Sequence, residues 1–267
     1  MASALIAFAG NSLLCRLALR TQEIDPGSFT SIRLISGVIV LLALTWSKSS
    51  SRIIGGAWIS AAALFIYAAG FSWAYVSLST ATGALLLFGS VQGTMITAGW
   101  LNGERMKIIN LFGCILATLG LVTLLMPGLL APPMESASLM VAAGIAWGVY
   151  SLMGRKLGNP LIATSGNFVR TLPFVALMYL VTSTEFHATE RGYIFAIASG
   201  ALTSAIGYAI WYSVLPQLTA TRAAVVQLSV PIIATLGGWL FLGEAITIRV
   251  LVSAVLILVG IWLVVRK

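Results

Sequence analysis

Long apolar runs alternate with short polar connections along the whole chain. A membrane-crossing helix needs about 20 mainly apolar residues. Ten stretches qualify: 2–19, 28–46, 53–74, 80–101, 108–126, 137–154, 161–182, 192–213, 219–241 and 247–265. Their short connections suit antiparallel packing of neighbours and leave no soluble domain. The longest irregular piece is MPGLLAPPMES at 126–136, whose prolines cannot continue a helix. It reads as the joint between two halves. The first run is short for a full crossing, as if that helix were clipped or began late, and no cleavable leader precedes it.

The halves resemble each other. TATGALLLFGSVQGTMITAGWLNGE, from Thr80 to Glu104, is rewritten as TATRAAVVQLSVPIIATLGGWLFLGE, from Thr219 to Glu244. Trp100 then matches Trp239, Tyr67 matches Tyr208, Arg33 matches Arg170, Ser90 matches Ser229, and Gly120 matches Gly260. Each half holds five spans. Five is odd, so the second half enters the membrane upside down, a common plan of secondary transporters. The expected fold is an all-α polytopic membrane protein, with two inverted five-helix repeats around a central cavity. Its parts are a first repeat over 1–126, a joint over 127–136 and a second repeat over 137–267.

Composition agrees. Hydrophobic residues make up 59% and charged residues 8%, against roughly 25% charged in soluble domains. The formal charge of +8 does not mark a nucleic-acid binder, because the basic residues are spread thinly between apolar runs. With the N-terminus in the cytoplasm, that side receives Lys48, Arg52, Arg105, Lys107, Arg155, Lys156, Arg222, Arg266 and Lys267. The opposite side receives Arg20, Arg191 and Arg249. This is a positive-inside bias, so both termini are expected in the cytoplasm, across a bacterial-type inner membrane. Cys15 and Cys114 lie in apolar runs and suggest neither a disulfide framework nor a metal site.

Pro26, Phe29 and Arg33 in DPGSFTSIR resemble the P-x-x-F-x-x-x-R start of the second helix in EamA-type proteins of the drug/metabolite transporter superfamily. SVPIIATLGGWLFLGEAIT at 229–247 resembles the end of that family's repeat, and AWGVYSLMGRKL at 146–157 is similar to its sixth helix. The resemblance covers essentially the whole chain. It implies a ten-helix exporter or exchanger of small metabolites with a cavity between its halves. The aromatic content of the spans further resembles that of the aromatic amino-acid exporters. Asn11 departs from a usual tryptophan, Arg16 from a usual lysine, and Gln92 stands where the second repeat has Pro231.

Candidate cavity residues follow from chemistry that lipid would not tolerate. Arg33 and Arg170 lie within spans and are candidate carboxylate contacts, since guanidinium matches carboxylate geometry. Counting from Pro26 and Pro160, Arg170 is the deeper and Arg33 the one able to reach a helix end or headgroup. Tyr208, Trp211 and Tyr212 share a helix face. Tyr67 and Phe71 pair with them from the third span, and Trp147 and Tyr150 share a face of the sixth. Asn11, Gln92, Asn167 and Gln227 complete the polar candidates, with Ser90, Thr94, Ser204 and Ser229 beside them, and the fourth and ninth spans are expected to line the pathway. Pro231 is a candidate hinge. Trp46, Trp58, Trp100, Trp239 and Trp262 belong to the headgroup belts. Glu104 and Glu244 are expected to cap helices or to pair with Arg105 or Arg249. Gly89/Gly93, Gly99/Gly103 and Gly144/Gly148 are expected to serve close helix packing.

No acid lies deep in any span and the lone His187 is in a connection, so a carboxylate proton relay is not expected. Nor is a cofactor. The expected partners are the lipid bilayer and a small molecule, an amino acid first, and a monomer would suffice. An organic-cation or multidrug exporter is the alternative, poorly served by spans without acids. A non-transporting scaffold needs no aromatic and polar set at the midplane. An intramembrane enzyme lacks its usual signatures, an Asp pair, a metal set or a G-x-S-x-G elbow.

Overall fold

In a computed structural model the described residues are 1–46, 55–101, 107–126, 131–154, 159–182, 187–217, 226–227 and 229–265. Outside them fall Lys48, Arg52, Gly103, Glu104, Arg105, Arg155, Lys156, Glu185, Thr219, Arg222, Arg266 and Lys267, together with positions 127–130 of the joint. The described chain is helical, with no strand and one isolated bridge, between Ile24 and Ala188.

The helices follow the apolar runs. They are α1 (Ala2–Arg20), α2 (Pro26–Trp46), α3 (Trp58–Tyr75), α4 (Thr80–Leu101), α5 (Ile108–Leu125), α6 (Met134–Gly154) and α7 (Pro160–Thr182). After them come α8 (Glu190–Val214), α9 (Ser229–Leu242) and α10 (Ile248–Val265). The first eight are long and apolar enough to cross a membrane, and α9 and α10 are shorter apolar helices. Pro26 and Pro160 open α2 and α7, where a missing N–H costs nothing. The bundle turns leucine, isoleucine and valine outward along its flanks, as a lipid-facing surface requires. Trp46, Trp58, Trp100, Trp239 and Trp262 are all exposed near helix ends.

The packing has a reciprocal pattern. α6 packs against α3 and α4, and α1 packs against α8 and α9. α2 lies against α7 and α8, α3 also touches α7, and α5 pairs with α10. The last pair shows why glycine stands at 120 and 260. A Cβ on Gly260 would come within 2.5 Å of the Ala117 nitrogen and 2.6 Å of the Gly113 carbonyl. One on Gly120 would meet the Ile257 Cγ1 at 2.8 Å. Each glycine admits the partner backbone at the other's interface. Gly144 and Gly148 do the same for α6, against Leu87 and Thr94 of α4. Gly89 and Gly93 do not: Gly89 makes only ordinary contacts and Gly93 faces open space.

One end of the bundle is tied by charge. Arg16 pairs with Glu244 at 3.1 Å, the one ion pair among the described residues. The same guanidinium donates to the carbonyls of Tyr75 and Val76, at 2.9 and 2.8 Å, where α3 stops. The other oxygen of Glu244 accepts the Thr80 N–H at 2.7 Å, capping the first turn of α4. Glu244 therefore caps a helix, as expected, but its partner is Arg16 rather than Arg249, which instead donates to the Met126 carbonyl. Alongside, Arg20 donates to the Leu242 carbonyl, Thr189 to Glu23, and the His187 N–H to Asp25.

Two outcomes follow. Gly260→Val should lower the thermal midpoint of the detergent-solubilised protein, at a cost of about 1–3 kcal/mol for overpacking a closed interface. Gly93→Ala should be nearly neutral in the same melt. Glu244→Ala should cost about 1–3 kcal/mol by leaving the Arg16 Nε and the Thr80 N–H without their acceptor. Glu244→Gln should cost less, because the amide oxygen still accepts from Thr80.

Candidate functional site

Where α1, α2, α3 and α8 cross, the centre of the bundle holds a charge. Arg33 is 1% exposed. A guanidinium in hydrocarbon needs partners for its N–H groups. Its Nε donates to the Ser204 hydroxyl at 3.0 Å, and its Nη2 donates to the phenol oxygens of Tyr67 at 3.1 Å and Tyr208 at 3.2 Å. The carbon of the guanidinium lies 5.2 Å from the ring centroids of both Tyr67 and Phe71, within cation–π range. Nη1 is buried with no partner.

The supporting polar groups come from α1 and from an irregular part of α8. Asn11 donates from Nδ2 to the Tyr67 oxygen at 3.3 Å. Its Oδ1 accepts from Ser199 at 2.6 Å and Thr203 at 3.1 Å. Ser199, Thr203 and Ser204 all lie in Ser199–Ile206, where α8 widens into a π-helix. A π turn shifts the register of side chains and is common at functional sites. Here it turns three hydroxyls towards Asn11 and Arg33. Gly200 lies against the Arg33 carbonyl, which lets the widened helix approach α2.

Around this polar knot stands a shell of rings. Trp147 of α6 has its centroid 4.8 Å from Tyr67 and 4.7 Å from Tyr208. Phe8 of α1 meets Trp147, Tyr208 and Trp211 edge-on at 5.9, 5.8 and 5.6 Å. Tyr150 bridges from Trp147 to Tyr212. The Tyr208 hydroxyl donates to the Tyr67 oxygen at 3.3 Å. The two tyrosines matched by the internal repeat thus touch.

Of the residues singled out in the sequence, Asn11, Arg33, Tyr67, Phe71, Trp147, Tyr150, Ser204, Tyr208, Trp211 and Tyr212 form one connected cluster. The expected order of depth is reversed. Arg33 is enclosed, because the α1–α2 connection and the residues just before α8 lie over the start of α2: Asp25 accepts from the His187 and Ser28 N–H groups, and Ile24 bridges to Ala188. Arg170 is only partly buried. It points back along α7, as helix side chains do, donates to the Gly55 and Gly166 carbonyls, and lies 5.9 Å over Trp58. Asn167 works beside it. Its Oδ1 accepts the Ala57 N–H that opens α3, at 2.9 Å, and it reaches the Tyr150 hydroxyl at 3.5 Å. Gly56 precedes Ala57 with φ +80°, a conformation few other residues adopt.

The fourth and ninth spans contribute less to the cluster. Ser90, Thr94 and Ser229 donate to carbonyls of their own helical segments. Gln92 and Gln227 are buried, and the Gln227 Oε1 has no partner. Pro231 is buried at the third position of α9. A second internal proline, Pro173 in α7, was not singled out in the sequence, though a proline within an apolar run was signal enough. Phe8, Ser199 and Thr203 were also missed. The small polar spacing of Ser199, Thr203 and Ser204 was their only trace. Among the described residues no group of three or more His, Cys, Asp or Glu could hold a metal ion.

Known proteins resemble the chain in sequence. The EamA-like transporter family matches residues 134–266. The chain is 50% identical to an uncharacterized protein of Pseudomonas aeruginosa, over 98% of this chain and 91% of that one. It is 24% identical to a probable amino-acid metabolite efflux pump of Salmonella typhimurium, over 67% and 65% of the two chains. It is 26% identical to a probable terminal-alkyne amino-acid exporter of Streptantibioticus cattleyicolor, over 73% and 67%. With its apolar helices and outward leucines, the protein is a multi-pass membrane protein, and it belongs to the EamA-like transporter family.

Proposed function

We propose that this protein exports small apolar metabolites, aromatic or other apolar amino acids first, across a bacterial-type inner membrane. The observation that carries the reading is the single buried knot of Arg33, Tyr67 and Tyr208 inside a ring of aromatic side chains. Flat ring faces suit an apolar side chain, and a guanidinium suits a carboxylate. Two relatives carry names of amino-acid exporters or efflux pumps. An organic cation fits poorly, since Arg33 would repel it and no acid among the described residues lies within the ring shell.

The mechanism is alternating access between two inverted five-helix repeats, residues 1–126 and 137–267. Several facts support it. The contacts of α6 with α3 and α4 mirror those of α1 with α8 and α9. Matched tyrosines meet at the centre, and matched glycines interlock α5 with α10. Both termini are read as cytoplasmic, which places the Arg16–Glu244 tie at the outer face. No proton relay through carboxylates is part of the mechanism: the described acids stand at helix ends or in connections.

Purified protein in liposomes should take up labelled phenylalanine or tryptophan and not a cationic dye. Trp147→Ala should cut that uptake about tenfold or more while the protein still melts cooperatively, as loss of about 1.4 kcal/mol of binding would do. Collapsing a pH gradient across the vesicles should leave the rate unchanged. Strict dependence on that gradient would refute the uncoupled mechanism. Uptake of the dye alone would refute the cargo class.

A further inference from the structure

We infer that the preferred cargo is a net anion: an apolar carboxylate without a free ammonium group, such as an N-acylated or 2-oxo derivative of an apolar amino acid, with the free amino acid a slower cargo. Its export is then electrogenic and driven by the inside-negative membrane potential. The inference rests on the export reading above and narrows its cargo.

The argument is a balance of donors, acceptors and charge. Arg33 has five N–H groups. Three are used, on Ser204, Tyr67 and Tyr208, and the pair on Nη1 is buried without a partner. The Tyr67 oxygen is the target of three donors, from Arg33, Asn11 and Tyr208, although a phenol oxygen has two lone pairs. The indole N–H of Trp211, one turn from Tyr208 and fully buried, also has no partner. The cluster therefore has more donors than acceptors. It also has one full positive charge, and the one ion pair among the described residues is elsewhere, between Arg16 and Glu244. A carboxylate supplies both deficits at once. It brings two oxygens with about four lone-pair sites and a negative charge, in the fork geometry a guanidinium matches.

An ammonium finds no such place. No acid among the described residues stands in the cluster to receive it. The two ring faces nearest the charge, Tyr67 and Phe71, are already covered by Arg33. A zwitterion would set its positive end near Arg33 in a low dielectric and repel it. A cargo whose amine is acylated or replaced by a carbonyl keeps the carboxylate and the apolar side chain and drops that penalty.

The charge also supplies a driving force. A single negative charge leaving an inside-negative compartment moves with the field, and its equilibrium gradient changes about fifty-fold per 100 mV. No proton relay is then needed for export against a concentration gradient.

The test compares two probes that share a side chain and a carboxylate. Liposomes containing the wild-type protein are loaded with labelled N-acetylphenylalanine or labelled phenylalanine at neutral pH. The potential is set by valinomycin and a potassium gradient. The expected result is that N-acetylphenylalanine leaves at least about tenfold faster, and faster still when the interior is made negative. Arg33→Gln should abolish the preference and cut N-acetylphenylalanine efflux at least about tenfold. Phenylalanine leaving as fast, with neither flux sensitive to potential, overturns the inference and leaves the amino-acid export reading standing. If neither probe moves, and tryptophan does not move either, the inference and the export reading fall together. If Arg33→Gln folds and transports N-acetylphenylalanine at the wild-type rate with its preference over phenylalanine intact, anion recognition by Arg33 is refuted.

Discussion

A guanidinium enclosed in a membrane bundle must have its N–H groups taken by something other than water, and the centre of this protein is arranged around that demand. Arg33 on α2 requires hydroxyls from three directions. α3 supplies Tyr67, and α8 supplies Tyr208 and, through its π segment, Ser204. Asn11 on α1 then holds the Tyr67 oxygen and the remaining π-segment hydroxyls. Four helices are thus fixed at one level by hydrogen bonds that hydrocarbon gives no alternative to. The aromatic shell excludes lipid from that level and strengthens each bond by lowering the dielectric around it.

Away from the centre the forces change. α5 and α10 share a polar contact at one end, from the Asn110 side chain to the Val264 carbonyl, and are mostly exposed on their outer faces. Lipid is as apolar as their leucines, so their pairing relies on close backbone approach at Gly113, Gly120 and Gly260. At the end where α1 finishes, charge and backbone capping take over, with Arg16 and Glu244 joining four chain segments. Apolar packing, a polar knot and a capped end thus occupy separate regions.

Much of the architecture was legible in the sequence because a bilayer leaves few choices. Most apolar runs near the crossing length became helices with boundaries close to those expected, the ninth being described as a helix from Ser229 rather than from 219, and Pro26 and Pro160 marked two starts. The aromatic cluster was legible too, since Tyr208, Trp211 and Tyr212 share a face whatever the tertiary fold. Depth was not. Counting residues from a proline assumes that water or headgroups lie just beyond the helix start. At Arg33 the α1–α2 connection and the residues just before α8 lie over that start. At Arg170 the segment before α3 comes in to meet the side chain instead. The π segment was hidden because it depends on tertiary contacts with α1 and α2, and the glycine spacing at 89 and 93 could not tell a helix contact from an open face.

The two arginines matched by the repeat do different work, and this bears on how a pseudo-symmetric carrier could hold an asymmetric cargo. Were both halves to present a guanidinium to the centre, two positive charges would face each other with no acid between them. Instead Arg170 is bound to carbonyls of Gly55 and Gly166, where with Asn167 it braces the start of α3. Only Arg33 reaches the cluster. The matched tyrosines, being neutral, can meet without cost, and they do. On the inverted-repeat reading, the neutral tyrosine of the site is therefore doubled and its guanidinium is single. A cargo with one charged end and one apolar end then has one orientation in which to bind.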